Sequence, residues 1–172
     1  MITIISGTNR KGSKTLKIAN DYCDLLSEKK IAHQLFSLTD MPEDFQIHRM
    51  YDFENNGLNA ITQQYIRSVD KIVFILPEYN GGMPGILKLF IDAVHPRDWK
   101  EKRIALIGVA SGRAGNLRGL DHLVTLFHYL KMEVYSNKLP ISKVEDYFND
   151  INGYKESVKL EMNRHIDGFL RF

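Results

Sequence analysis

The sequence predicts an α/β fold in which helices cover both faces of a five-stranded parallel sheet. Short apolar runs alternate regularly with helical patterns along the chain. The central run, residues 71–76, is almost continuously apolar and rich in β-branched residues, which is typical of a strand buried on both faces. Polar loops rich in glycine follow three of the runs. Such alternation gives right-handed βαβ units and a three-layer, doubly wound sandwich.

The elements follow one another in a simple order. Apolar runs predict strands at residues 2–6, 31–36, 71–76, 103–110 and 132–135. Helical periodicity predicts helices at residues 14–29, 58–68, 83–94, 116–130 and 153–170. In the first helix one apolar face is formed by Leu16, Ala19, Cys23 and Leu26. Stripes of this width can pack against a sheet.

Length and composition restrict the classes of protein that fit. The 172 residues suit one domain spanning 1–172, with an ordinary 44% hydrophobic and 26% charged composition. No apolar run approaches the ~20 residues of a membrane helix, so we expect no membrane insertion. A net charge of +2 gives no charge-based reason to expect nucleic acid as a partner. The N-terminus has no basic leader, which favours the cytoplasm.

Several chemistries are excluded by what the sequence lacks. Cys23 is the only cysteine, so neither an internal disulfide nor a zinc site built on cysteine pairs can form, and we expect it to pack in the core. The histidines show no metal-ligand spacing, and we predict no metal. No G-x-S-x-G motif is present, which argues against a hydrolase.

The first polar loop, residues 7–15, has the chemistry of a phosphate site. It joins the first strand to the first helix, where backbone N–H groups and the helix dipole favour an anion. Thr8, Ser13 and Thr15 supply hydroxyl groups and Arg10 a fixed positive charge. The loop has neither the GxGxxG nor the GxxxxGK[ST] pattern, so a mononucleotide phosphate fits better than a dinucleotide or a nucleoside triphosphate. We expect Lys11, Lys14 and Lys17 to form a solvated basic face.

The second and third polar loops follow the third and fourth strands. Residues 77–85 combine glycines and prolines between a buried strand and an amphipathic helix, with Pro84 in the first turn. Residues 110–116 contain two glycines that permit close backbone approach. Open α/β sheets bind ligands at the carboxyl ends of their strands, so both loops are candidate binding loops.

The three loops together resemble the NAD(P)H-dependent FMN reductase family, which has a flavodoxin-like fold and includes flavin, quinone, azo-dye and chromate reductases. The resemblance runs from the first strand to about Leu130, and residues 77–81 are its most specific part. It implies the sheet order 2-1-3-4-5, with the ends of strands 1, 3 and 4 side by side. The family usually has Ser, an aliphatic residue and Asn at three positions of the first loop. This sequence departs from that pattern, because it has Thr8, Asn9 and Thr15 there.

The resemblance implies roles for three groups of residues. The FMN phosphate would be held by Thr8, Arg10, Ser13 and Thr15. The isoalloxazine ring would be lined by Pro77, Glu78, Tyr79, Asn80 and Gly81. The site would be closed by Ser111, Gly112 and Gly115. Hydride transfer requires no acid or base from the protein, so no catalytic residue is assigned.

The implied function is that of an FMN-dependent NAD(P)H oxidoreductase. Electrons would pass from NADPH or NADH through FMN to free flavin, a quinone or a similar small acceptor. Two alternatives stay open: an FMN-binding electron carrier or sensor, and an interaction module that has lost flavin, which the departure at Thr15 motivates. Arg10, Arg113 and Arg118 suit an anionic pyridine nucleotide and therefore favour the reductase.

The resemblance also implies a homodimer or homotetramer in which partner residues cover the flavin. Residues 37–57 form a long connection with aromatic side chains and no repeating pattern. We expect this segment to pack on a partner subunit or over a ligand, or else to form a self-packed surface loop.

Overall fold

A parallel sheet forms the centre of the computed structural model, which describes all 172 residues. The strands are β1 (Ile2–Ser6), β2 (His33–Ser37), β3 (Lys71–Pro77), β4 (Arg103–Val109), β5 (Glu133–Val134) and β6 (Leu139–Ile141). Their order is β2-β1-β3-β4-β5, with β6 also paired to β4, and every pairing is parallel. The predicted doubly wound, flavodoxin-like order is therefore confirmed.

The fifth position of the sheet is divided between two short strands. Residue Glu133 of β5 pairs with Arg103 at the start of β4, whereas Leu139 of β6 pairs with Ile107 near its end. The prediction of a single fifth strand missed β6. Its three residues include Pro140, and a proline within so short a run removes the usual strand signal.

Seven helices surround the sheet. They are α1 (Lys14–Glu28), α2 (Asn59–Thr62), α3 (Gly85–Ala93), α4 (Pro96–Trp99), α5 (Leu117–Tyr129), α6 (Val144–Phe148) and α7 (Tyr154–Arg171). The predicted helix at 58–68 is α2 followed by a π-helical turn, Gln63–Arg67. Helices α4 and α6 were not predicted, because four or five residues are too few to show helical periodicity.

Two hydrophobic clusters hold the helices against the two faces of the sheet. One contains Phe74 and Trp99 and packs β3 and β4 against α3, α4 and α5. The other contains Ile4 and Ile107 and packs the opposite face against α1, α6 and α7. Cys23 lies half-buried at the second cluster, where burial raises the pKa of its thiol to about 11. The sheet is thus covered on both faces, as its apolar strands require.

The segment between β2 and α2 folds back on the end of α3. Asn56 is buried, and its amide Nδ2 donates to the carbonyls of Met50 at 2.9 Å and Ala93 at 2.7 Å. The Phe53 ring lies 4.7 Å from the His95 ring, measured between centroids. This part of the segment is self-packed, which was one of the two expectations.

A buried histidine makes stability depend on pH. His165 in α7 is fully buried; its Nδ1 lies 3.1 Å from the Tyr22 hydroxyl and its Nε2 has no partner. Burial lowers the pKa of His165 from 6.5 to about 4. Between pH 6.5 and pH 4 this histidine binds more protons in the unfolded chain than in the folded chain. Its titration therefore leaves the unfolding free energy unchanged above pH 6.5 and lowers it as the pH drops toward 4.

We expect wild-type protein to lose about 2 kcal/mol of unfolding free energy through this group between pH 7.5 and pH 5. His165→Gln removes the titrating ring, so its unfolding free energy should change less between the two pH values. Urea unfolding at both pH values measures the difference. Equal pH dependence in the two proteins would contradict the assignment.

Two features are absent from the structure. None of its helices has the length and apolar character needed to cross a membrane. No group of three or more His, Cys, Asp or Glu side chains is placed to hold a metal ion.

Candidate functional site

A polar pocket of about 470 Å³ opens at the carboxyl edge of the sheet. Its walls are the loops that follow β1, β3 and β4, together with the start of α6. The parallel register places Ser6 beside Ile75 and Pro77 beside Val109, so these three loops emerge next to one another. The volume lies within the usual range of ligand pockets, roughly 300–1,000 Å³.

The loop after β1 forms one wall and caps α1. Ser13 is the N-cap residue, and its hydroxyl accepts a hydrogen bond from the Leu16 N–H at 3.2 Å. Gly12 adopts a φ of 67°, which an L side chain rarely adopts and which lets the loop turn into the helix. The side chains of Arg10, Lys11 and Lys14 line the same wall.

This wall fits a phosphate group. The N–H groups of Lys11, Gly12, Lys14 and Thr15 donate to no backbone acceptor. The first N–H groups of a helix lack intrahelical partners and attract anions. Free donors, hydroxyl groups and three basic side chains converge on one wall, so the donor set suits the FMN phosphate.

The loop after β3 forms the facing wall through a tight turn. Tyr79 and Gly82 exchange two backbone hydrogen bonds of 3.0 Å each. Between them Asn80 has φ 52° and Gly81 φ 75°, the positive values that a type I′ turn requires. Pro84 is the N-cap residue and α3 begins at Gly85, two residues later than predicted.

A hydrogen bond joins the two walls. The Tyr79 hydroxyl lies 2.8 Å from the Thr8 Oγ1, which also accepts the Arg10 N–H at 3.3 Å. Thr8 is fully buried beneath the pocket, whereas Tyr79 is half-buried and lines it. The bond therefore fixes the tyrosine ring relative to the loop after β1.

Removing this hydroxyl should have a modest, measurable effect. In Tyr79→Phe we expect the unfolding free energy to fall by about 1 kcal/mol, because a single hydrogen bond is lost while Thr8 keeps its backbone donor. Urea unfolding measures the change, with Tyr65→Phe as the control because that ring stacks on Phe36 and its hydroxyl makes no hydrogen bond. An equal effect in both variants would contradict a specific role for the bond.

The loop after β4 is held by contacts behind the pocket. Gly115 has φ 55°, and an added Cβ would lie 2.6 Å from the Cβ of Pro140 in β6. Asn116 is buried in a left-handed conformation, and its Nδ2 donates to the Pro77 carbonyl at 2.9 Å. Asn116 thus ties this loop to the end of β3, a role not predicted from the sequence. The Gly-Asn pair, suited to left-handed backbone, was the available signal.

The structure brings most of the predicted site residues together. Seven line the pocket: Arg10, Ser13, Thr15, Pro77, Glu78, Tyr79 and Ser111. The other five do not line it. Thr8 lies beneath the pocket, and Asn80 and Gly81 form the turn after β3. The Gly112 carbonyl accepts a hydrogen bond from the Lys143 N–H at 3.0 Å, and Gly115 packs on Pro140.

Sequence reasoning missed the contribution of α6. Glu145 lines the pocket, accepts a hydrogen bond from the Ser111 hydroxyl at 3.0 Å, and forms an ion pair with Lys14. Lys11 and Lys14, expected on a solvated face, line the pocket too. The sequence offered no signal for Glu145, because 131 residues separate it from Lys14.

Comparisons with known proteins agree with this geometry. The family model described as NADPH-dependent FMN reductase matches residues 1–146. An NADPH azoreductase from Bacillus sp. (strain OY1-2) is 26% identical, and the match covers 84% of this chain and 76% of that protein. A 2-hydroxy-1,4-benzoquinone reductase from Burkholderia sp. is 31% identical, covering 73% of this chain and 75% of that protein.

The fold is also shared with a solved flavoenzyme. FerB, an NAD(P)H:(acceptor) oxidoreductase from Paracoccus denitrificans, superposes with a TM-score of 0.77 at 21% identity. The superposition covers 99% of this chain and 97% of that one. The family match spans most of the chain and includes all three loops of the pocket. The chain therefore belongs to the NADPH-dependent FMN reductase family.

Proposed function

We propose that this FMN-dependent oxidoreductase passes electrons from NADPH or NADH through FMN to free flavin, a quinone or a similar small acceptor. Bound FMN would supply the redox chemistry, accepting hydride from the nicotinamide and returning electrons to the acceptor. The single observation that carries the proposal is the pocket at the ends of β1, β3 and β4, with its convergent phosphate donors. The azoreductase and quinone reductase among its relatives support small acceptors.

The protein's own part would be to bind and orient the flavin. Ser13, Thr15 and Arg10 would hold the phosphate at the start of α1, with Thr8 supporting them from below. The Tyr79–Gly82 turn would flank the ring and offer backbone groups to its polar edge. Ser111, Gly112 and Gly115 would close the site through the loop after β4.

Absorption spectroscopy of the purified protein tests this function. We expect a flavin spectrum, present as purified or after FMN titration, that bleaches with NADPH or NADH and returns on addition of a quinone. FMN that binds but stays oxidised with both nucleotides would instead support an electron carrier or sensor. Absence of FMN binding at saturating concentration would favour an interaction module.

We also propose that the chain assembles as a homodimer or homotetramer. A groove of about 740 Å³ between α3 and α5 is mostly apolar and reaches Met83, the residue after the Tyr79–Gly82 turn. Tyr129 at its edge is 83% exposed, an unusual exposure for a large aromatic side chain beside other apolar groups. The groove also carries the Lys88–Asp92 ion pair, and a surface bearing both charges is self-complementary about a two-fold axis.

Light scattering tests the assembly. We expect wild-type mass to be a multiple of the 19.9 kDa chain and Tyr129→Asp to lower it. Leu160→Asp, on the 52% exposed Leu160 of α7, is the control and should not change the mass. A monomeric wild-type protein would contradict the proposal.

Residues 1–172 would act as one FMN-binding domain. We propose that the protein works in the cytoplasm, and cell fractionation checks this location.

A further inference from the structure

Helix α6 brings a negative charge to the wall of the pocket that suits a phosphate. The Lys143 N–H donates to the Gly112 carbonyl at 3.0 Å, and the Val144 N–H to the Ala110 carbonyl at 3.1 Å. These bonds fix the start of α6 on the loop after β4. Glu145, the next residue, is thereby held over the pocket by its own backbone and by the Ser111 hydroxyl.

The Glu145 carboxylate meets the first residue of α1. Lys14 follows the N-cap Ser13, and its ammonium pairs with Glu145 and with no other carboxylate. Arg10 and Lys11 line the same wall and form no ion pair. Both side chains of the pair are exposed, at 43% and 44%, so dissolved salt screens the interaction.

The carboxylate is ionised throughout the neutral range. The hydrogen bond from Lys14 is the main cause that holds the pKa of Glu145 below its usual range, and bonds from its own backbone and from Ser111 act in the same direction. A phosphate entering this wall would therefore meet a fixed negative charge and a lysine that already has a partner. Charges of like sign a few ångströms apart repel even in a solvated site.

We propose that the Glu145 carboxylate competes with the FMN phosphate for Lys14, so that Glu145 weakens the affinity of the chain for phosphorylated flavin. This inference rests on the proposed FMN site, with the phosphate at the start of α1. Riboflavin has no phosphate and would not be subject to the competition. Glu145 is thus a determinant of how strongly the chain prefers FMN over riboflavin and how readily it releases FMN.

The negative charge of Glu145 can be removed with little change in the shape of the side chain. Glu145→Gln keeps an oxygen that can accept from Ser111 and from Lys14 but carries no charge. Glu133→Gln is the matched control, because Glu133 pairs with Arg103 at 3.8 Å at the start of β4, the opposite end of that strand from the pocket. Both variants change the net charge of the chain by the same amount.

Titration of flavin-free protein by flavin fluorescence measures Kd for FMN and for riboflavin. We expect Glu145→Gln to lower the Kd for FMN about three- to tenfold in low salt, less in 300 mM salt, and to leave the Kd for riboflavin unchanged. Glu133→Gln should alter neither value.

Several outcomes would overturn the inference. An unchanged or raised Kd for FMN in Glu145→Gln would show that the carboxylate does not compete with the phosphate. Equal tightening of FMN and riboflavin, or equal tightening in Glu133→Gln, would show that the effect is not specific to the phosphate wall. If neither wild-type protein nor Glu145→Gln binds FMN, the proposed FMN site itself is wrong. That result is distinct from an unchanged Kd for FMN, which would contradict only the competition by Glu145.

Discussion

Replacing Ser13 by aspartate should nearly abolish FMN binding while leaving the fold intact. Ser13 is the N-cap residue of α1 and lines the pocket beside Arg10 and Lys14. Aspartate caps helices as well as serine does, and its charge suits a helix N-terminus. The same charge would face the phosphate across a few ångströms, which weakens binding by at least about 2 kcal/mol, roughly thirtyfold or more in Kd.

Ser13→Asn provides the matched control for this charge. Asparagine is also a good N-cap residue and has nearly the same shape as aspartate, but it is neutral. Fluorescence titration with FMN and thermal unfolding should be measured for both variants. We expect similar melting temperatures and a Kd that rises sharply only in Ser13→Asp. Equal affinity in the two variants would show that the phosphate does not lie at the start of α1.

Replacing Gly108 by alanine should destabilise the protein more than any of the other substitutions described above. Gly108 lies in β4 between Leu76 of β3 and Pro140 of β6. An added Cβ would overlap the Gly115 carbonyl oxygen and lie 3.1 Å from the Asn116 Cβ. The obstacle is the backbone of the loop after β4, which is itself held against Pro140 and cannot move aside freely.

We expect Gly108→Ala to lower the unfolding free energy by about 3 kcal/mol or more, at the upper end of overpacking effects. In a chain of this size that loss corresponds to a fall in melting temperature of roughly 10 °C. FMN affinity should fall too, because the displaced loop carries Ser111. Gly85→Ala is the control, since nothing lies within 4 Å of an added Cβ there. Equal melting temperatures for the two variants would refute the steric argument.

The layout of the sheet could be predicted because each central strand carries a strong local signal. Run 71–76 is apolar enough to require burial on both faces, and the structure places it as β3 in the middle of the sheet. The positions of the three polar loops followed from that layout, because parallel strands end at the same edge. Recognition of the family rested on those loops and was confirmed by the match over residues 1–146.

What could not be predicted depends on contacts between distant residues. Glu145 belongs to the pocket only because α6 is hydrogen-bonded to the loop after β4. Asn116 belongs to the loop framework only because β3 and β4 lie side by side. Lys14 was assigned to solvent because its partner is 131 residues away. Polar pairing across such distances has no periodic pattern in the sequence.

The division of the sheet's fifth position separates two tasks that one continuous strand would combine. The β5 half closes the sheet beside the start of β4, far from the pocket. The β6 half supports the loop after β4 through Pro140 and leads directly into α6 with Glu145. Substitutions in β5 would therefore change mainly the free energy of folding. If Glu145 competes with the FMN phosphate as proposed, substitutions in β6 would also alter flavin selectivity, and this short edge segment would offer a route to new ligand preferences without rebuilding the core.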